Sequence, residues 1–188
     1  MTPIELLKLV LEPLNKEDCL FALCGGVASS VYRSSFRVTN DVDIALFFPP
    51  EIVGKSEREF AIQFLERLGI KASLGWIPGI KTDSEDTVFL ILGELGGFLP
   101  TVDFLLPSLP WVKQAVIRAQ DNRIDFGFGS IPTITPEDLL ISKAFALSIE
   151  PNRLQDQDDI ASILDGESVK DRRYLEENLK KLGLSIAI

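Results

Sequence analysis

The segment Leu23 to Ile44, LCGGVASSVYRSSFRVTNDVDI, constrains this chain more than any other. The apolar run Cys19 to Cys24 reads as a short buried strand, broken by Gly25-Gly26. Val27 to Ser34 reads as a short helix, and Asp41 to Phe48 as a second strand closed by Pro49-Pro50. Side chains alternate along a strand, so Asp41 and Asp43 share one face while Val42 and Ile44 enter the core. Two carboxylates about 6–7 Å apart on a strand repel each other unless a cation sits between them. Oxygen ligands of this kind suit a hard divalent cation, magnesium or manganese. The Gly-Gly turn supplies a complementary feature. Strand, glycine pair and helix bring backbone N–H groups and a helix N-terminus to one spot, where an anion such as a phosphate binds. Ser29, Ser30, Arg33 and Arg37 lie within reach of it.

Composition narrows the chemistry. The chain has no histidine, which excludes histidine bases, histidine triads and histidine-ligated zinc. Cys19 and Cys24 are the only cysteines, and their odd separation places them on opposite faces of one strand. A disulfide is not expected, and a cytoplasmic location fits. A net charge of −9 argues against extended duplex DNA binding, because phosphate contacts need Lys and Arg. No apolar run is long enough to span a membrane, and the N-terminus does not read as a signal peptide.

Thr2, Pro3 and Glu5 begin the first helix with a capping box, and Ile4, Leu7 and Leu11 are expected on its inward face. Ser56 and Glu59 start a helix that ends at Leu68-Gly69. Ile70 to Ile77, Thr87 to Leu92 and Thr101 to Leu106 read as strands, Leu109 to Ala119 as a helix, and the surroundings of Ile124 to Phe128 as short strands. Thr135-Pro136-Glu137-Asp138 opens a helical region, whose last helix is capped by Ser168 and Asp171. The expected architecture is an α/β (α+β) mixed sheet with flanking helices over residues 1–130. A C-terminal helical segment, 131–188, packs on the same site.

This pattern resembles the nucleotidyltransferase signature of the DNA polymerase β superfamily, a hydrophobic residue with Gly-Gly/Ser followed by Asp-hydrophobic-Asp-hydrophobic. It is most similar to the small bacterial abortive-infection toxin nucleotidyltransferases, through Gly25, Gly26, Ala28, Tyr32, Arg37, Thr39, Asp41 and Asp43. Pro136 to Leu147 resembles that branch's Pro-Glu-Asp-Leu…Lys helix. Arg153 to Ile160 resembles its Arg-x-Lys-Asp-x-x-Asp segment, with Gln155 where many relatives carry Lys. The resemblance implies a third metal carboxylate. Asp103 in Thr101-Val-Asp-Phe-Leu is preferred to Asp125 in Arg123-Ile-Asp-Phe, because its strand is longer and more apolar.

Transfer of a nucleoside monophosphate from an NTP to an acceptor hydroxyl is the activity implied, with Mg2+ or Mn2+ on Asp41, Asp43 and Asp103. Gly25, Gly26, Ser29, Arg37 and Lys143 would hold the triphosphate, with Asp156 and Asp159 lining the same cleft. Replacing Lys143 by Ala is expected to leave the fold intact. The implied acceptor is an RNA end, such as that of tRNA, or a small molecule, and a cognate antitoxin is an implied partner. A local basic face for RNA would have to come from Lys170, Arg172, Arg173, Lys180 and Lys181. A member of the fold that binds nucleotide or a protein without turnover remains a separate reading.

Overall fold

The computed structural model describes all residues except 36, 53, 55, 76–87, 97 and 187–188. In chain order it forms α1 (Pro3–Leu14), β1 (Leu20–Cys24), α2 (Gly25–Tyr32), β2 (Asp41–Phe47), α3 (Glu57–Arg67), β3 (Lys71–Gly75), β4 (Leu90–Leu95) and β5 (Phe98–Leu105). There follow α4 (Val112–Ala119), β6 (Arg123–Asp125), β7 (Ser130–Pro132), α5 (Pro136–Ile149), α6 (Leu154–Asp165) and α7 (Arg172–Lys181). Trp76, Ile77 and Thr87, expected in strands, lie outside the described residues. Among the described residues no helix is long and apolar enough to cross a membrane.

Local signals set most boundaries. The Thr2 hydroxyl accepts from the Glu5 N–H, and the Glu5 carboxylate accepts from the Thr2 N–H, completing the capping box. Ser56, Thr135 and Asp171 cap α3, α5 and α7 by accepting from the N–H of Glu59, Asp138 and Tyr174. Ser168, expected at that last cap, instead donates to the Tyr32 carbonyl. The inward face of α1 is Leu6, Leu7, Val10, Leu11 and Leu14, and Ile4 is exposed. Ile4 precedes the first full turn that reaches the sheet, so the periodicity was extended one residue too far.

The five-stranded sheet runs β1-β2-β5-β4-β3. Only β2 and β5 pair parallel; the other neighbours are antiparallel. Alternation divides the strands between two cores. Val42, Ile44, Val102 and Phe104 face α1 and α3, in a layer with Leu7, Val10, Phe64 and Leu65. Ala22, Cys24, Ala45 and Phe47 face the opposite side, packed with residues of α4, α5, α6 and α7. The C-terminal helices therefore share a core with the sheet face that carries the aspartates. The chain crosses to them through an N–H of Ile134 donated to the Leu23 carbonyl.

A buried charge cluster fastens α6 to α2. Asp159 is fully buried and accepts from Arg33, Arg37 and the Lys143 ammonium, the last at 2.5 Å. The Ser29 hydroxyl adds a contact at 3.3 Å. Beside it, Ser34 and Ser35 meet the Ser162 hydroxyl, and the Ser34 N–H donates to the Ser162 carbonyl. Removing one member of such a buried ionic cluster leaves charges without partners, at a cost of about 3–5 kcal/mol. We expect Asp159→Asn to lower unfolding free energy by that order in urea titrations. A variant as stable as the parent would show that this cluster does not hold the helices to the sheet.

Candidate active site

The site follows from strand register. Asp43 pairs with Asp103 across the parallel β2/β5 ladder, and Cys24 pairs with Asp43 across β1/β2. Residues in register share a face, so Asp41, Asp43 and Asp103 stand on one side of adjacent strands, about 4.8 Å apart between strands. Asp125 lies exposed in the separate β6-β7 ribbon, where its carboxylate accepts from the Gly127 N–H. Of the two candidates for a third carboxylate, Asp103 adjoins Asp41 and Asp43 and Asp125 does not.

The glycine turn is dictated by the aspartate beside it. Gly25 has φ +58°, and a Cβ there would fall 1.8 Å from an Asp43 carboxylate oxygen. A Cβ on Gly26 would fall 2.3 Å from the Thr39 hydroxyl. Only glycine admits both side chains. The helix α2 begins directly at Gly25, and the Gly26 N–H points toward Asp43 at 3.4 Å. The Thr39 hydroxyl donates to the Asp41 carboxylate.

These groups open into a cleft of about 610 Å³ lined by Gly25, Gly26, Arg37, Asp41, Asp43, Asp103, Lys143, Gln155 and Asp156, among others. Ser29 and Asp159 require correction. Both are fully buried beneath the cleft, where Ser29 donates to the Gly25 carbonyl and Asp159 gathers the three cations. They act on the site through α2, Arg37 and Lys143. Lys143 is also not a surface residue: it is 5% exposed and paired with Asp156 at 2.9 Å as well as with Asp159. Its replacement would therefore perturb the fold. The Nε of Arg37 is buried without a hydrogen-bond partner, although its side chain reaches the cleft. Lys170, Arg172, Arg173, Lys180 and Lys181 are not among the lining residues.

One half of the cleft had no sequence motif. Leu90, Leu105, Leu109, Trp111, Phe145, Ala146 and Ile149 form an apolar wall. A partial signal exists in α5, where Ser142, Phe145, Ala146 and Ile149 recur at i, i+3, i+4 and i+7. That stripe reads equally well as core, and only the placement of α5 against the sheet makes it a cleft wall.

The electrostatics follow from crowding. Burial, then the Asp41 carboxylate, pushes Asp43 up to about 6. Burial, then Asp43 and Asp41, pushes Asp103 up to about 7. Arg37 and Lys143 relieve Asp43 only from a distance. For Asp156, Lys143 and Arg153 overcome the effect of burial and hold the carboxyl below its usual value. Among the described residues no group of three or more Asp, Glu or Cys side chains is gathered closely enough to hold a metal ion. Asp41, Asp43 and Asp103 are nevertheless oxygen donors of the kind a hard divalent cation takes, standing on one face, with Asp43 and Asp103 pushed up first by burial and then by their neighbours' charge.

This crowding carries a sign. Asp103 ionises near 3.8 ordinarily but near 7 when folded, so the native state holds more protons between those values. The stability this protonation supplies is complete below about pH 4 and is lost as the pH rises through 7. In EDTA we expect Asp103→Asn to be more stable than the parent at pH 8, by about 1–2 kcal/mol, with the gain shrinking toward zero at about pH 3.5. Thermal melts at the two pH values measure it, and a pH-independent difference would contradict the crowding.

No family model and no curated protein matches this chain. Solved structures do. The solution structure of the antibiotic-resistance factor ANT(2'')-Ia aligns with a TM-score of 0.58 at 14% identity, over 96% of this chain and 92% of that one. The crystal structure of ANT(2'')-Ia in complex with adenylyl-2''-tobramycin gives 0.56 at 15%, over 96% and 98%. An antigenic nucleotidyltransferase-like protein from Paracoccidioides brasiliensis gives 0.56 at 16%, over 96% and 87%. At such identities the likeness speaks for the fold, and it extends over the sheet, the glycine turn and the C-terminal helices together. The chain has the nucleotidyltransferase fold.

Proposed function

We propose that this protein transfers a nucleoside monophosphate from an NTP to the hydroxyl of a small-molecule acceptor. The observation that carries the reading is the set of three aspartates on one sheet face, opening with the N-terminus of α2 into a cleft of about 610 Å³. A volume of that order suits a nucleotide with a small partner. The ANT(2'')-Ia neighbour was solved in complex with adenylyl-2''-tobramycin, a nucleotidylated small molecule, which supports the same class of reaction here. The basic residues of α7 lie outside the cleft lining, which favours a small acceptor over RNA.

In this reading Asp41, Asp43 and Asp103 hold Mg2+ or Mn2+. The bound cation would supply charge neutralisation at the phosphates. The Gly25-Gly26 backbone and the α2 N-terminus receive the outer phosphates, and Arg37, with its unpartnered Nε, and Lys143 offset their charge. The acceptor oxygen bonds to the α-phosphorus as the bond from that phosphorus to the bridging oxygen breaks. Pyrophosphate leaves with the electron pair, and the hydroxyl proton passes to Asp103.

Binding of an NTP should depend on the divalent cation. Titration with a non-hydrolysable ATP analogue is expected to show at least about tenfold weaker binding in EDTA than in magnesium. Affinity unaffected by EDTA would remove the carboxylates from the nucleotide site. Turnover gives a second check. Asp103→Asn should lower kcat by about 10²–10⁴-fold while changing nucleotide affinity little, because it removes a proton acceptor. Pyrophosphate release measures both parameters, and an active Asp103→Asn enzyme would exclude that role.

A further inference from the structure

We infer that the acceptor is a neutral hydroxyl compound carrying an apolar, ring-sized group that seats against Leu105, Leu109, Trp111, Phe145 and Ile149. The inference rests on the nucleotidyl-transfer reading above and names its substrate class.

Topology places the wall on the acceptor side. The strand order β1-β2-β5-β4 puts the glycine turn at one flank of the Asp43–Asp103 pair and β4 at the other. Leu105 follows Asp103 by two residues, so both side chains leave the same face of β5. Leu90 is the register partner of Leu105 across β4 and extends the apolar surface away from the phosphate side. Phe145 and Ile149 descend from α5, one turn apart, to close it opposite the sheet. Trp111 and Leu109 form its floor, nearly buried, whereas Leu105, Phe145 and Ile149 keep part of their apolar surface open to the cleft.

Charge complementarity excludes a polycation. Beyond the three aspartates, the carboxylates lining the cleft are Glu150 and Asp156. Asp156 is held by Lys143 at 2.9 Å and Arg153 at 2.6 Å, and Glu150 faces Arg153 at 3.9 Å. Among the described residues, an acceptor with several ammonium groups would meet on the wall side only these two arginine- or lysine-facing carboxylates and would bury its remaining charges against leucine and phenylalanine. A ring placed there gains from leaving water, and its hydroxyl lies beside Asp103.

The test uses calorimetric titration of the full chain in magnesium with a non-hydrolysable ATP analogue present. The probes are phenyl β-D-glucoside and 2-phenylethanol, against methyl β-D-glucoside and tobramycin. The expected result is at least about tenfold tighter binding of the phenyl compounds than of methyl glucoside. Phe145→Ala should remove most of that preference. Ile149→Glu, at a half-exposed position near the end of α5, should remove it and raise affinity for tobramycin, with the melting temperature as a check on folding. Equal binding of phenyl and methyl glucoside, or no binding of either phenyl compound, overturns the inference, as does parental preference for tobramycin. Loss of nucleotide affinity in Phe145→Ala, without loss of phenyl binding, would assign the wall to the nucleobase and overturn the inference while leaving transfer intact. Failure of the parent to bind the ATP analogue in magnesium would remove the transfer reading, and this inference with it.

Discussion

Asp159 carries no exposed surface, yet the C-terminal helices and the glycine helix meet on it. Arg33 and Arg37 approach from the segment after α2, and Lys143 approaches from α5. One buried carboxylate thus ties two separate stretches of chain, 29–37 and α5, to α6. Burial of a single ion is costly, but here each charge has an opposite partner and Ser29 supplies a further donor. The arrangement also determines where two cations of the cleft point, because Arg37 and Lys143 are anchored below the surface that they line.

Above this cluster the sheet does the opposite. It concentrates like charges, with Asp41, Asp43 and Asp103 on one face and no described cation in contact with them. Burial, and after it the neighbouring carboxylates, raises the proton affinities of Asp43 and Asp103. The close fit of Gly25 against Asp43, and of Gly26 against Thr39, packs the anion-attracting helix start against the carboxylates. Cations are matched below, anions are crowded above, and α2 runs between the two levels. A polar pole and an apolar wall then share one cleft, which is the geometry expected where a charged nucleotide meets a neutral partner.

Much of the fold was legible. Asp41 to Phe47 was readable as a strand because alternation over Asp41 to Ile44 leads into a short apolar run, and Thr2, Ser56, Thr135 and Asp171 mark helix starts by their side chains. Ile4 misled because its spacing fits the inward stripe although it stands outside it. Ser29 and Asp159 were legible as part of the site but not as buried. Helical spacing reports which face a residue occupies, not how deeply a neighbouring helix covers that face. Lys143 is expected in the cleft through the family resemblance of Pro136 to Leu147, and its burial between Asp156 and Asp159 depends on α6, nothing of which is encoded in α5.

The amino-acid sequence by itself determined the local elements and the shared face of Asp41 and Asp43. These depend on residues close together in the chain, through alternation and capping. Tertiary structure alone decided that Asp103, not Asp125, joins them, because parallel pairing of β2 with β5 links residues sixty positions apart. It also decided that Asp159 is a buried anchor and that Trp111, Phe145 and Leu105 face one another across a cleft. Those outcomes depend on register and helix docking between distant segments, and no local spacing rule carries that information.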